Sequence, residues 1–106
     1  MTKMNKDVIA VIFCAQRTES DDDGYAKAAN DMVALAEKQS GFVGIDTARD
    51  EGGFGITISY WANNSSAIAW RDHPEHVVIR EMGRKSWYKN YSLHVTRVER
   101  SYDWSK

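Results

Sequence analysis

The sequence contains little cysteine and no long hydrophobic segment. Cys14 is the only cysteine in 106 residues, so no internal disulfide can form, and its place in an apolar run predicts a reduced, buried thiol. That run, Val8 to Ala15, is far shorter than the ~18 residues a membrane span needs, and the start MTKMNKD lacks an apolar signal core. These absences predict a cytoplasmic protein with no membrane partner.

An excess of charge of one sign and the common catalytic signatures are also missing. The 14 basic and 15 acidic side chains give a formal net charge of -1, so no bulk attraction to nucleic acid is expected. Glycine-rich phosphate loops, GxSxG, CxxC and HExxH motifs do not occur. We therefore expect no nucleic-acid partner, no cofactor and no bound metal.

The first apolar segment predicts a strand that is covered on both faces. Hydrophobic residues make up 42% of the chain against 7 glycines and 1 proline, which is typical of one compact domain over residues 1–106. In DVIAVIFCAQR both alternating sets of positions are apolar. One set is Val8, Ala10, Ile12 and Cys14, and the other is Ile9, Val11, Phe13 and Ala15.

The acidic run TESDDDG precedes a helix that we predict over residues 24–39. Its carboxylates are not spaced alternately as in a calcium loop, so we interpret them as a helix cap. The helix follows from an apolar stripe at helical spacing, and Ser40-Gly41 is expected to end it. The stripe consists of Tyr25, Ala28, Ala29, Met32, Val33, Leu35 and Ala36.

Two strand-like segments, FVGIDTARD and FGITISYWA, flank Glu51-Gly52-Gly53 and predict an antiparallel hairpin. In the second segment, one face carries Phe54, Ile56, Ile58 and Tyr60, and the other carries Gly55, Thr57, Ser59 and Trp61. The second face is unusually small and polar for a central strand. Small side chains leave room beneath whatever covers them.

The rest of the chain predicts a broken helix and a last strand. A cap-forming cluster, NNSS, precedes a short helix in AIAWRD, and Pro74 fits the first turn of a second helical segment that reaches about Trp87. YSLHVTRVERSY alternates apolar and polar residues as an edge strand does.

The resulting order is that of the α+β, ferredoxin-like split βαβ plan, with one antiparallel sheet and its helices on one face. Those helices can cover only one face of the first strand, although both of its faces are apolar. The simplest cover for the other face is the same sheet of a second copy. We therefore expect a homodimer through the sheet face.

Polar candidates for chemistry surround the broken helix, in AWRDHPEHVVIREMGRKSWY. His73 and His76 are three residues apart, but Pro74 lies between them and no third ligand is evident, which disfavours a metal site. Counting along the helix from His76 places Ile79 or Arg80, Gly83 and Trp87 on one stripe. A glycine inside a helix indicates close approach, either by a neighbouring strand or by a ligand.

The aromatic residues allow two interpretations. They could simply fill a small core, or Trp61 could overlook the small residues Thr57 and Ser59 as part of an apolar pocket beneath the helices. His94 could equally be an interface histidine or a pocket base. A basic patch is interpreted as a solvated helix face rather than an anion site; its members are Arg80, Arg84, Lys85 and Lys89.

Three segments resemble the antibiotic biosynthesis monooxygenase family, and especially its small stand-alone bacterial members. They are GFVGIDTARD, ISYWANNSSAIAWRDHPEH and GRKSWYKNYSLHVTRVERSY, and the likeness extends from Val8 to Tyr102. The resemblance implies a dimeric α+β barrel with a cavity in each subunit between sheet and helices. It also implies oxidation of aromatic polyketides or quinols by molecular oxygen without a prosthetic group.

The resemblance carries over to individual residues unevenly. It implies that Trp61 and Trp70 line the pocket. Where a haem-degrading branch has its histidine ligand, this chain has Arg80, which disfavours haem chemistry. Of the Asn-Trp-Arg set of the polyketide-oxidising members, Trp70 and Arg80 match two parts, and Asn63 or Asn64 could supply the third.

The leading hypothesis is a cofactor-independent monooxygenase acting on a small aromatic or quinol-type molecule. The catalytic candidates are His76 and Arg80, one or the other of which would handle the phenolate. The substrate contacts would be Trp61, Trp70, Ser59, Thr57, Gly83 and Trp87. The alternative is a non-catalytic dimeric ligand-binding or stress-related domain that keeps the fold and the pocket. A haem-binding or haem-degrading protein ranks third.

Overall fold

The computed structural model describes residues 7–106, which form four strands, three helices and one π-helical turn. The bounds in chain order are β1 (Ile9–Arg17), α1 (Asp22–Glu37), β2 (Phe42–Arg49), β3 (Phe54–Trp61), α2 (Asn64–Arg71), α3 (Pro74–Met82), the π turn (Gly83–Trp87) and β4 (Tyr88–Arg97). No helix within this part of the chain is long and apolar enough to cross a membrane.

The sheet confirms the predicted ferredoxin-like α+β plan. Its strand order is β2-β3-β1-β4, and all three neighbouring pairs are antiparallel. The two edge strands are therefore β2, which lies between α1 and the hairpin turn, and β4, which follows the π turn. The structure is that of a single chain, so the pairing of two copies stays a prediction.

The helices begin where the sequence supplies side-chain acceptors. Asp21 caps α1 by accepting a hydrogen bond from the amide of Gly24 at 3.1 Å, so the acidic run acts as the cap it was predicted to be. Asn63 caps α2 through the amide of Ser66 at 2.9 Å. His73 caps α3, and Pro74 occupies its first turn, where a missing N–H is tolerated.

The end of the broken helix differs from its prediction. The helical segment does reach Trp87, but its last five residues form a π turn, and β4 begins at Tyr88 rather than near Tyr91. Gly83 is buried at this junction, and a β-carbon built on it would lie 2.7 Å from the Tyr88 ring. Close approach by a neighbouring side chain therefore explains this glycine.

The helix layer covers the Ile9 set of β1. Ile9 belongs to a buried core with Ala36 of α1, Trp61 of β3 and Ala67 of α2, and Val11 packs against that core. The Val8 set points to the opposite side, together with the Phe54 set of β3. We call this opposite side the outer face; it is formed by Ala10, Ile12, Cys14, Phe54, Ile56, Ile58 and Tyr60.

Candidate functional site

Four side chains beneath and between the helices form the tryptophan–histidine cluster: Trp61, Trp70, His76 and Arg80. Trp61 is fully buried at the end of β3, and its indole nitrogen donates to Ser59 Oγ at 3.0 Å. The Trp70 ring stacks on the Trp61 ring, with centroids 5.8 Å apart. The small face of β3 is thus filled by the indole of Trp61, which is why small residues accompany it.

His76 lies against Trp70 across the break between α2 and α3. The two rings are stacked with centroids 4.4 Å apart and an interplanar angle of 14°. His76 Nδ1 is 2.9 Å from the backbone oxygen of Trp70. A carbonyl oxygen can only accept, so Nδ1 carries the hydrogen and Nε2 is the basic nitrogen of the neutral ring.

The surroundings of His76 favour that neutral ring. Burial lowers the pKa of His76 from its usual value, and electrostatic repulsion from Arg80 and His73 lowers it further, against the opposing effect of the Trp70 carbonyl. The imidazole is therefore uncharged near pH 7. A neutral, partly buried histidine with a free Nε2 is chemically suited to accept a proton.

Arg80 follows His76 by one helical turn and brings a positive charge to the same cluster. Its Nη1 donates to the backbone oxygen of Arg71 at 3.2 Å. Its Nε is buried and has no hydrogen-bond partner. An unpaired buried donor is costly, and an acceptor atom of a bound molecule would satisfy it.

Other residues singled out from the sequence lie elsewhere. Thr57 shares the helix side of β3 with Ser59, but its hydroxyl pairs with that of Thr47 at 3.0 Å. His73 contacts Trp70 with ring centroids 5.8 Å apart, while His94 pairs with Ile12 in the sheet and so lies on the outer face. Gly83 and Trp87 belong to the opposite end of the helix layer.

At that opposite end lies a second group, the arginine–tyrosine cluster of Arg17, Tyr25, Arg49 and Tyr88. The Arg17 guanidinium is 3.9 Å from the centre of the Tyr25 ring, and Arg49 donates to the Tyr25 hydroxyl. The Tyr25 and Tyr88 rings meet edge-on at 5.9 Å. Burial raises the pKa of Tyr88 well above its usual value.

Trp87 closes this second cluster. Its indole nitrogen donates to Asp21 Oδ2 at 3.3 Å, and its ring meets Tyr25 edge-on at 5.8 Å. Arg17 is only 7% exposed and donates to the backbone oxygens of Trp87 and Ser20 and to Asp22. Sequence reasoning missed Arg17, because a charged residue that ends an apolar strand normally indicates the solvent boundary.

Two open grooves lie outside both clusters. One, of about 350 Å³, separates α1 from α3 and is lined by Asp31, Met32, Pro74, Glu75, Val78 and Ile79. The other, of about 280 Å³, opens at one end of the outer face. Within residues 7–106, no group of three or more metal-ligating side chains is close enough together to hold an ion.

Known proteins resemble this chain at two levels, in sequence and in fold alone. No family model matches the sequence. The chain is 43% identical over 91 residues to the uncharacterized protein YqjZ of Bacillus subtilis (strain 168), an alignment that covers 86% of this chain and 79% of YqjZ.

Solved structures show the same architecture at low identity. SnoaB, a cofactor-independent oxygenase from Streptomyces nogalater, matches with a TM-score of 0.76 and 11% identity over 90% of this chain and 96% of SnoaB. A candidate antibiotic biosynthesis monooxygenase from Nitrosomonas europaea matches with a TM-score of 0.76 and 8% identity, over 90% and 93% of the two chains. The chain thus has the fold of the antibiotic biosynthesis monooxygenases, and it belongs to the same family as YqjZ.

Proposed function

We propose that this protein is a cofactor-independent monooxygenase that acts on a small aromatic phenol or quinol. The observation that carries the proposal is the pairing of a neutral His76, whose Nε2 is basic, with the unpartnered Nε of Arg80 one turn away. Oxygenation without a cofactor needs a base that generates the substrate anion and a donor that stabilises it. The cluster holds one of each beside two stacked indole rings.

In this reaction His76 Nε2 takes the phenolic proton and Arg80 Nε donates to the resulting oxyanion. The anion is electron-rich enough to react with dioxygen directly. For an anthrone-type substrate the methylene carbon loses both hydrogens and gains one oxygen as a carbonyl, while the second oxygen atom leaves as water. Atoms and electrons balance with dioxygen as the only oxidant.

The edge strand β4 supplies the apolar surface that such a substrate needs. Leu93 and Val95 pair with Phe13 and Val11, which places them on the helix side of the sheet. They are nevertheless 49% and 57% exposed, so the helices leave this part of the sheet uncovered. We assign the flat ring of the substrate to this exposed apolar surface of Leu93 and Val95, with the hydroxyl group of the substrate toward Arg80.

Oxygen consumption by metal-free protein, measured with a panel of anthrones and hydroquinones, tests the proposal. We expect turnover with at least one of them, and a fall in kcat of about 10²-fold or more in His76→Asn and Arg80→Met. Arg71→Met is the matched control, because Arg71 is an exposed arginine of α2 that pairs with Asp72. Absence of both binding and turnover with every compound would contradict the proposal.

Ligand binding without chemistry is the second candidate function. It is favoured by the packing of Trp61, which is fully buried and fills the space between sheet and helices where a substrate cavity was expected. The same panel separates the two candidates. Saturable binding without oxygen consumption, unchanged in the His76→Asn and Arg80→Met double variant, would support the binding domain.

We also propose that two copies pair through the outer face. Phe54 and Ile56 are 42% and 37% exposed there, beside Ile12 and Cys14 of the central strand β1. Burying such a patch against a second copy removes apolar surface that monomers rarely expose. Light scattering should show a dimer, and Ile12→Asp should aggregate or unfold. A well-folded monomer whose mass does not change with concentration would contradict this pairing.

A further inference from the structure

The break between α2 and α3 is held by a histidine that acts as a helix cap. His73 Nδ1 accepts a hydrogen bond from the backbone amide of Glu75 at 3.2 Å, and the His73 carbonyl accepts from the Val77 amide at 2.9 Å. The caps of the other two α-helices that the structure describes are the oxygen acceptors of Asp21 and Asn63. The α3 cap is instead an imidazole nitrogen, which takes up a proton close to neutral pH.

Accepting this hydrogen bond defines the state of the His73 ring. A nitrogen that accepts from an amide carries no hydrogen, so the neutral ring has its hydrogen on Nε2. Proton uptake places a hydrogen on Nδ1 as well, which turns the acceptor into a donor that faces another donor. The new positive charge also lies beside the positive end of the α3 dipole. Both effects break the hydrogen bond with the Glu75 amide.

The same turn positions His76. The Trp70 carbonyl accepts from the His73 amide at 3.1 Å and lies 2.9 Å from His76 Nδ1, so one oxygen joins the cap to the tryptophan–histidine cluster. Both histidine rings contact the Trp70 ring, with centroids 5.8 Å away for His73 and 4.4 Å away for His76. His76 lies in the first turn of α3, to which Pro74 contributes no amide hydrogen. Loss of the cap therefore loosens the turn that holds His76 against Trp70.

The charged and titratable side chains around this break come from all three α-helices. They are Asp31 of α1, Arg71 of α2, its C-cap Asp72, and Glu75, His76 and Arg80 of α3. Asp31 and Asp72 already form ion pairs, with Lys27 at 2.7 Å and with Arg71 at 2.9 Å. The Glu75 carboxylate follows the cap by two residues and attracts a protonated His73 ring, whereas Arg80 repels it. A protonated His73 thus gains a carboxylate to donate to when it loses the amide.

We infer that His73 is a proton-operated cap: the neutral ring closes the first turn of α3 and holds His76 on Trp70, and proton uptake by His73 opens that turn. This change is conformational and does not depend on any reaction. Its consequence for activity rests on the proposed function, because a displaced His76 no longer serves as the base. The site is then active only where His73 is neutral.

NMR of the ligand-free protein tests the inference. ¹H–¹⁵N correlation spectra of the imidazole rings should show neutral His73 with its hydrogen on Nε2 and neutral His76 with its hydrogen on Nδ1. Between about pH 8 and about pH 5, the Glu75 amide signal should move with the midpoint of the His73 ring signals. A His73 ring with its hydrogen on Nδ1, or a Glu75 amide that does not follow the His73 titration, would overturn the inference.

Two substitutions separate the cap from the imidazole itself. His73→Asn keeps a cap acceptor that does not titrate, and His73→Ala has no acceptor. Hydrogen exchange of the Val77 amide, corrected for the intrinsic rate at each pH, measures opening of the first turn. Between about pH 7.5 and about pH 5.5, protection should fall about 5–10-fold in the unmodified protein, stay constant in His73→Asn and be low at both values in His73→Ala.

His94→Asn is the matched control, because it removes a histidine of the outer face. Its Val77 protection should depend on pH as in the unmodified protein. Equal pH dependence in the unmodified protein and in His73→Asn would refute the proton-operated cap.

Oxygen consumption separates this inference from the proposed function. If no compound is turned over while the ring and amide signals behave as expected, the proposed function fails and the cap stands. If turnover occurs, its loss on acidification should begin at lower pH in His73→Asn than in the unmodified protein. Identical pH profiles of kcat in the two proteins would show that the cap does not control the position of His76.

Discussion

The two ends of the helix layer each combine aromatic rings with arginine, and they differ in how the arginine is satisfied. Arg17 is buried with its guanidinium donating to two backbone oxygens and to Asp22, and it lies over the Tyr25 ring. Arg80 has one backbone acceptor and a buried Nε with none. Fully paired cations hold a fold together, whereas an unpaired buried donor keeps a hydrogen-bonding capacity that an acceptor atom of a ligand would satisfy.

Replacing each arginine by methionine should give the largest difference in stability between the two ends. Arg17→Met removes the side-chain donor to the Ser20 oxygen and the ion pair with Asp22, and it leaves the Trp87 oxygen with the Thr18 amide as its donor. The free energy of unfolding should fall by about 2–3 kcal/mol. Arg80→Met removes one exposed hydrogen bond, to the Arg71 oxygen, and a buried donor that is already unpaired, so it should change stability by less than ~1 kcal/mol. Urea unfolding measures both variants. An equal loss in the two would make Arg80 a structural residue.

Gly83→Ala tests how tightly the arginine–tyrosine end is packed. Gly83 has helical dihedral angles, φ -60° and ψ -47°, so alanine strains no backbone there. The new β-carbon would lie 2.7 and 2.9 Å from two carbons of the Tyr88 ring, which is also packed against Phe13 and Tyr25. Overpacking should therefore cost about 1–3 kcal/mol, despite the better helix propensity of alanine.

Gly44→Ala is the matched control for that substitution. A β-carbon at Gly44 would have Tyr60 as its nearest neighbour at 3.9 Å, which is ordinary van der Waals contact. Thermal unfolding should show little change for Gly44→Ala and a clear decrease in Tm for Gly83→Ala. If Gly83→Ala were as stable as the unmodified protein, the close approach of Tyr88 would not explain the glycine.

The pH dependence of stability tests the other end through His76. Because its pKa is lowered in the folded protein, the unfolded chain takes up a proton first as pH falls below 6.5. The free energy of unfolding should then decrease, by at most about 1.4 kcal/mol per pH unit, until the folded imidazole is protonated as well. The difference between unmodified protein and His76→Asn isolates this contribution; identical curves would mean that burial does not disfavour the charged ring.

The fold could be predicted from the sequence because the residues that specify its turns and caps act locally. The hairpin turn, the cap residues Asp21 and Asn63 and the position of Pro74 each depend on a few neighbouring residues, and they are found where the sequence predicts them. The two apolar faces of β1 also indicated a second covering layer, although nothing in the sequence decided which face the helices take. Packing of Ile9 and Val11 in the core decides it.

The candidate site could be predicted only in part, because it depends on contacts between different helices and strands. Helical spacing predicted that His76, Gly83 and Trp87 lie on one face of a helix. The helix changes to a π turn at Gly83, however, and Trp87 packs against Tyr25. The stack of His76 on Trp70 crosses the break at Pro74, which no periodicity describes. A role of Trp87 in substrate binding stays a prediction.

The indole N–H signals of the four tryptophans provide the most direct test of the central claim, that the ligand binds at the tryptophan–histidine cluster. Trp61 and Trp70 report on that cluster, whereas Trp87, bonded to Asp21, reports on the arginine–tyrosine end. In a ¹H–¹⁵N NMR titration with a non-reactive anthraquinone under anaerobic conditions, the Trp61 and Trp70 signals should shift together and saturate while the Trp87 signal stays in place. A saturating shift of Trp87, with Trp61 and Trp70 unchanged, would contradict the account.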